Sequence, residues 1–213
     1  MNQAKLVWIT PEAEKHIAYC ARVSNPANQD NPEISRLLKY CIKHGHWSIF
    51  EMASMCVEIK TTRAISAQIL RHRSFSFQEF SQRYAVVEDG IELPEIRLAG
   101  ATNRQSSLPL PDELTQNQQN CLNDARLMLI EHQVIYTNLI KAGIAPETAR
   151  MFLPLCTPTT MYMTGTIRSW IHYVQLRTKI DTQKEHRGIA VAINNILWDN
   201  IPTTMQAMEE HWV

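Results

Sequence analysis

The sequence predicts an α+β fold, mostly helical with a small antiparallel sheet, folded as one domain over residues 1–213. Three observations predict it. Apolar residues recur at three- and four-residue spacing through most of the chain, the mark of helices that bury one face. One segment, MASMCVEIKTT at 52–62, lacks that period and ends in β-branched residues, as strands do. No repeat, low-complexity tract or linker interrupts a chain of 213 residues that is 45% hydrophobic, enough for one substantial core.

Thr10-Pro11 supplies a helix N-cap and a proline at the first helical position, and Ala13, Ile17 and Cys20 or Ala21 follow at helical spacing. Asn31-Pro32 repeats the start signal; Ile34, Leu37, Leu38 and Cys41 carry the stripe and Gly45 the stop. After the strand at 52–62, TRAISAQILRHR reads as a short helix with Ile65 and Ile69 inward. Residues 85–111 form a long, irregular, partly acidic connection, and a loop of that length is functional or poorly ordered. A helix runs from Asp112 to about Ala142 on Leu122, Ala125, Leu129 and Leu139, closed by Gly143. APETARMFLP is a short helix between Pro146 and Pro154, and another helix spans about Thr159 to Lys179. The last opens on a capping box, Thr182-x-x-Glu185, and stops before Pro202.

Lys plus Arg and Asp plus Glu both number 21, so no overall field favours nucleic acid or a membrane, and any anion site is built by local placement. The five cysteines are odd in number and form no CxxC pair, which indicates neither a disulfide framework nor structural zinc. Reduced, packed thiols in the cytoplasm are the expectation. The opening MNQAKLVWIT lacks the basic and apolar regions of a signal peptide, and no apolar run approaches spanning length. His44-x-His46 invites a metal, yet no HExxH or paired carboxylates complete a ligand set, and His44 fits the C-terminal end of a helix dipole.

The densest chemistry lies in RHRSFSFQEFSQRY, residues 71–84. Arginine stays charged and offers a planar fork of donors suited to phosphates and carboxylates. Arg71 and Arg73 flank His72 at a helix end; Ser76, Glu79, Ser81 and Arg83 follow in a loop, with Tyr84 leading toward a strand. Composition leaves several readings open. The stretch is a solvated, salt-bridged surface, or it grips an anionic, planar ligand, or its arginines and Phe75, Phe77 and Phe80 form a stacking and phosphate surface for nucleic acid. On the later helix, Ile167, Ile171 and Val174 share an apolar face. Arg168, His172 and Gln175 line one polar edge, and Thr166, Tyr173 and Arg177 the other, so one helix could touch two ligands.

The order of these residues resembles the signature of the flavin-dependent thymidylate synthases, RHRxxSxxxxS, whose fixed positions are filled by Arg71, His72, Arg73, Ser76 and Ser81; Glu79, Arg83 and Tyr84 match its extension. KHGHWSIFE (43–51), ETARMFLPL (147–155) and RSWIHYVQLR (168–177) are similar to three further family segments, in the family's order. The resemblance implies that FAD contacts Ser48, Arg71, His72, Arg73, Glu79, Thr166, Ile167, Arg168 and His172, with His46 near the flavin. It implies that dUMP contacts Gln68, Ile69, Leu70, Arg71, Glu79, Phe80, Ser81, Gln82, Arg83, Arg150 and Arg177. NADPH and 5,10-methylenetetrahydrofolate would be co-substrates, and the sites would be shared between subunits of a homotetramer.

Ordinary thymidylate synthases attack the pyrimidine with a cysteine. No cysteine here stands beside an obvious activating group, so Cys156, near Arg150 in sequence, reads as core. Ser81 has no convincing base beside it and reads as a phosphate or ring ligand. The resemblance instead assigns activation of the uracil to Arg177, whose permanent charge would stabilise a deprotonated or polarised ring.

Overall fold

The computed structural model describes residues 2–88, 90–91, 93–101 and 106–211. In chain order it forms β1 (Gln3–Ile9), α1 (Ala13–Ala21), α2 (Ser35–Lys43), a 3-10 turn (Trp47–Glu51), β2 (Ser54–Thr62) and α3 (Arg63–Ile69). There follow β3 (Ser76–Glu79), β4 (Arg97–Ala99), β5 (Ser107–Pro109), α4 (Gln116–Lys141) and α5 (Pro146–Ala149), which runs into another 3-10 turn (Arg150–Phe152). The chain closes with β6 (Pro158–Thr166), α6 (Ile167–Arg177), α7 (Lys184–Asn200) and α8 (Pro202–His211). It is predominantly helical with a small antiparallel sheet, as expected. The residues gather into two compact units: Lys60–Ile69 with Glu79–Thr160, and Asn2–Ile59 with Leu70–Gln78 and the stretch from Met161 onward.

A four-stranded sheet has the order β1-β2-β6-β3, and most of its residues fall in the second unit. Alternate residues of β2, Met55, Val57 and Ile59, have no exposed surface, and neither do Met161 and Met163 of β6. This is the period-two burial a half-covered sheet requires. The apolar face read for the later helix is real: Ile167, Ile171 and Val174 of α6 are fully buried, and Ile189, Ile193 and Leu197 of α7 join the core. Trp170 of α6 is also fully buried, and its indole N–H donates to the Met55 carbonyl at 3.0 Å, so its one polar group is satisfied.

Several boundaries differ from the sequence reading, each for a local reason. The helix expected from Thr159 begins at Ile167, because residues 158–166 form β6. There Thr159, Met161 and Met163 are buried while Tyr162 is exposed, and Thr166 caps α6 by accepting from the Ser169 N–H at 3.3 Å. Part of the loop expected within 71–84 is β3, a strand too short to show its alternation in sequence. Residues 3–9 form β1, which the sequence reading did not assign. Thr10 does not cap α1; its hydroxyl accepts from the Ser54 N–H at 2.9 Å, and the helix starts after Glu12, a left-handed residue at φ 47°. The expected Thr182 box does not form, since Thr182 Oγ1 turns to the Leu176 carbonyl and Gln183 holds the cap position. Pro202 ends α7 and also opens α8 as its first residue.

Gly45 closes α2 as read, at φ 69°, with the His46 N–H donating to the Cys41 carbonyl at 2.8 Å. Ahead of α2, the buried Arg22 fixes the loop at 25–34 through main-chain carbonyls: those of Asn31 at 2.6 Å and Glu33 at 2.5 Å.

In the first unit, α4 opens on a complete capping box between Thr115 and Gln118 and ends ahead of Gly143 at φ 81°. Its Tyr136 packs with Val87 and Ala149, and the phenol oxygen accepts from the Val87 N–H at 2.9 Å. The rest of α4 exposes Leu127, Met128, Ile130 and Val134. The connection at 85–111 contains the antiparallel pair β4–β5, in register Leu98 to Leu108; residues 89, 92 and 102–105 of it lie outside the described residues.

Candidate active site

Two edges of α6 carry separate constellations in the second unit. On one edge the Arg177 Nε–H donates to His72 Nε2 at 2.9 Å. A nitrogen that accepts is unprotonated, so His72 carries its proton on Nδ1. Burial, then the charges of Arg177 and Arg71, push the His72 pKa down to about 4, which keeps the ring neutral and Nε2 available. The ring is held edge-on by Tyr173, with centroids 4.9 Å apart at 73°. Tyr173, expected on a polar edge, is buried, and its phenol meets His186 Nε2 at 3.0 Å. Burial raises the phenol above its ordinary range and lowers His186 to about 4, so the O–H is the donor. Arg177 has no further hydrogen bond among the described residues, which leaves its terminal N–H groups for a ligand.

On the other edge Arg168 pairs with Glu51 of the 3-10 turn, and His172 lies edge-on to Trp47 with centroids 5.0 Å apart. Burial, then Arg168, lowers the His172 pKa. The same turn exposes Ser48 and, at its cap, His46. His46 forms a ring cluster with His44 and Tyr40, the closest pair being Tyr40 and His44 at 4.3 Å. Leu70, Arg71 and Arg73 are exposed just ahead of β3. Thr166 is engaged as the cap of α6, and the Ile167 side chain lies in the core.

The remaining predicted residues belong to the first unit. Glu79 ends β3, where its Oε1 meets Arg63 Nη1 at 2.7 Å and accepts from the Thr159 hydroxyl at 3.0 Å. Arg83 and Arg150 both converge on Glu147: Arg83 Nε donates to its carboxylate at 3.3 Å and Arg150 Nε to its carbonyl at 3.4 Å. Phe80 is exposed, Ser81 half-buried, and Gln82 buried with its amide nitrogen unpartnered among the described residues. Ile69 is in the core and Gln68 half-buried.

The structure also weighs on the other readings. Phe75 is buried against Trp170 at 4.7 Å, so it is no stacking platform for a nucleic acid. Among the described residues no group of three or more His, Cys, Asp or Glu could hold a metal ion, and no helix is long and apolar enough to cross a membrane. Sequence reasoning missed Arg63, Thr159, Glu51, Glu147 and His186. Three of them left a signal: Glu51 ends the KHGHWSIFE segment, Glu147 opens ETARMFLPL, and His186 stands at helical spacing ahead of Ile189, Ile193 and Leu197.

A model of the thymidylate synthase complementing protein family matches residues 5–203. A probable flavin-dependent thymidylate synthase of Paramecium bursaria Chlorella virus 1 is 47% identical over 218 residues, covering 99% of both chains. The flavin-dependent thymidylate synthase of Synechocystis sp. is 51% identical, covering 91% of this chain and 88% of its own. Among solved structures, a UMP/dUMP methylase of Streptomyces cacaoi bound with 5-Br dUMP superposes with a TM-score of 0.84 at 24% identity, over 99% of this chain and 95% of that one.

Proposed function

This chain belongs to the flavin-dependent thymidylate synthase family, and on that premise we propose that it converts dUMP to dTMP without a cysteine nucleophile. The carbon comes from 5,10-methylenetetrahydrofolate and the cofactor is FAD. When bound, FAD supplies the electrons that reduce the transferred carbon to a methyl group, and NADPH restores them. The carrying observation is Arg177: a permanent cation anchored through Nε by a neutral imidazole, with its remaining donors uncommitted among the described residues.

Such a guanidinium stabilises negative charge on the uracil carbonyls and N3, raising electron density at C5, where the new carbon bond forms. The anchor matters because a donor fixed in advance loses nothing to reorganisation as the charge develops. Cys41, Cys56 and Cys156 do not compete for this role: burial raises their thiol pKa, which keeps them protonated.

The donor set fits a flavin nucleotide. Arg71, Arg73 and Arg168 suit its diphosphate, Ser48 its hydroxyl-rich chain, and the rings of His46, His172 and Trp47 its planar system. Arg83 and Arg150 are the donors for the phosphate of dUMP. The chain acts in the cytoplasm as a homotetramer with sites shared between subunits; the apolar residues exposed on α4 support burial against other copies.

The test is the absorbance spectrum of the purified protein, followed by NADPH oxidation and dTMP formation with and without dUMP. A yellow protein that forms dTMP is expected; a colourless one that refuses reconstitution with FAD sinks the reading. Arg177→Ala keeps the flavin spectrum and loses dTMP formation by about a hundredfold or more, the size found when a charge-stabilising donor is removed. Retained turnover would remove Arg177 from the mechanism.

A further inference from the structure

The carboxylate of Glu79 is held asymmetrically. Arg63, the first residue of α3, places Nη1 2.7 Å from Oε1, and the buried Thr159 of β6 donates its hydroxyl to the same oxygen at 3.0 Å. No hydrogen bond from the described residues reaches Oε2, yet the side chain is only 14% exposed. Main-chain bonds pin the donors. The Arg63 N–H donates to the Thr157 carbonyl at 3.0 Å, the Ala64 N–H to that of Leu155 at 2.9 Å, and the Phe80 N–H to that of Thr160 at 2.9 Å.

An ion pair serving only stability gains most from the parallel, two-oxygen geometry that arginine favours with carboxylates. Here one oxygen is used twice and the other is spared. The charge of Arg63 also offsets that of Glu79, which would otherwise repel an incoming phosphorylated ligand.

We propose that Arg63 and Thr159 are positioning residues that hold Glu79 by Oε1 and present Oε2 as the acceptor for an O–H or N–H donor of the pyrimidine nucleotide. The proposal rests on the reading that Glu79 contacts dUMP. Flavin nucleotides carry the same kinds of donor, so the experiment separates the two ligands.

The FAD-loaded full chain is compared with Arg63→Gln, Arg63→Lys, Thr159→Val and Thr159→Ser. The readouts are KM for dUMP, kcat for dTMP formation, FAD affinity by titration, and NADPH oxidation without dUMP. Arg63→Gln and the isosteric Thr159→Val should raise KM for dUMP, Arg63→Gln by about tenfold, the size of one charge-assisted hydrogen bond lost. FAD affinity and dUMP-independent NADPH oxidation should change far less than KM for dUMP. Arg63→Lys should restore most of the affinity, because one N–H on one oxygen needs no planar fork; Thr159→Ser should restore it as well. Arg63→Gln should add little to Glu79→Gln, since both break one unit.

Unchanged KM in both Arg63→Gln and Thr159→Val overturns the proposal. So does a fall in FAD affinity with KM for dUMP unmoved, which would assign the oxygen to the flavin. If Arg63→Gln does not fold, Thr159→Val decides alone. A wild-type chain that makes no dTMP sinks the functional reading itself, whereas active wild-type enzyme with unaffected variants sinks only this inference.

Discussion

His186 makes the fold sensitive to acid by an amount that can be worked out. It has no exposed surface, it meets the Tyr173 phenol at 3.0 Å, and its neighbours include His72 and the charge of Arg177. Burial, then those two groups, lower its pKa from 6.5 to about 4. Above pH 6.5 neither the folded nor the unfolded chain protonates this group. Between 6.5 and 4 the unfolded chain takes up a proton that the buried ring refuses, so stability falls as pH falls. Below 4 both states are protonated and the loss stops growing. A gap of roughly 2.5 pH units at about 1.4 kcal/mol each gives a loss of up to about 3 kcal/mol across the window.

In His186→Leu that loss is absent, but the buried Tyr173 hydroxyl is left unpartnered, a defect of about 1–3 kcal/mol. The variant should therefore be less stable than wild type at pH 7 and nearly equal to it near pH 4. Tyr173→Phe/His186→Leu removes the orphaned hydroxyl and should keep the flatter profile with part of the stability regained. Urea unfolding followed by circular dichroism at half-unit steps from pH 7 to pH 4 reads this directly. Parallel stability curves for wild type and both variants would refute the account of His186 as a buried neutral ring.

Three further outcomes follow from packing and burial. A Cβ on Gly165 would lie 2.5 Å from Phe75 Cδ1 and 2.8 Å from Cε1, and that ring is wedged against Trp170, so Gly165→Ala should lose about 1–3 kcal/mol in thermal unfolding; an unshifted melting temperature would contradict it. Tyr136→Phe leaves the buried Val87 N–H without its acceptor and should destabilise the first unit by about 1–3 kcal/mol, seen as faster hydrogen exchange at Val87, whereas unchanged exchange would show the bond to be dispensable. Cys156→Ala and Cys20→Ala should form dTMP at wild-type rates in a product assay; abolished chemistry with an intact fold in either would revive a sulfur nucleophile.

What could be read in the sequence depended on how far each signal reached along the chain. The face of Ile167, Ile171 and Val174, the strand over 54–62 and the stop at Gly45 depend on neighbours a few residues away, and all three formed. The sequence of β6 reads as helix because its alternation, Thr159-Met161-Met163, runs directly into a helical stripe without a break. Its start signal, Thr166, is a threonine in a threonine-rich run. Capping was ambiguous in the same way. The hydroxyls of Thr10 and Thr182 had nearer competitors in Ser54 and Leu176, and the first of those lies 44 residues from Thr10. Within the candidate site, motif order gave roles to Glu79, Arg150, Arg168 and Arg177, but did not pair them with the residues that hold them. Arg63 and Thr159 meet Glu79 across 16 and 80 positions, and Glu51 meets Arg168 across 117; only the fold supplies those contacts.

One feature of α6 constrains how this protein can change. Arg168 and Arg177 stand on the same rigid rod, nine positions apart, each engaged by a different partner. The rod spaces them by roughly 13 Å along its axis and sets their relative bearing, at about 1.5 Å and 100° per residue. Inserting or deleting a single residue between them would swing one guanidinium about a quarter-turn out of line and turn part of the buried face with it. The segment can therefore hardly vary in length: a one-codon indel there would cost the molecule both the bearing of its two guanidinium groups and the packing of Trp170, Ile171 and Val174.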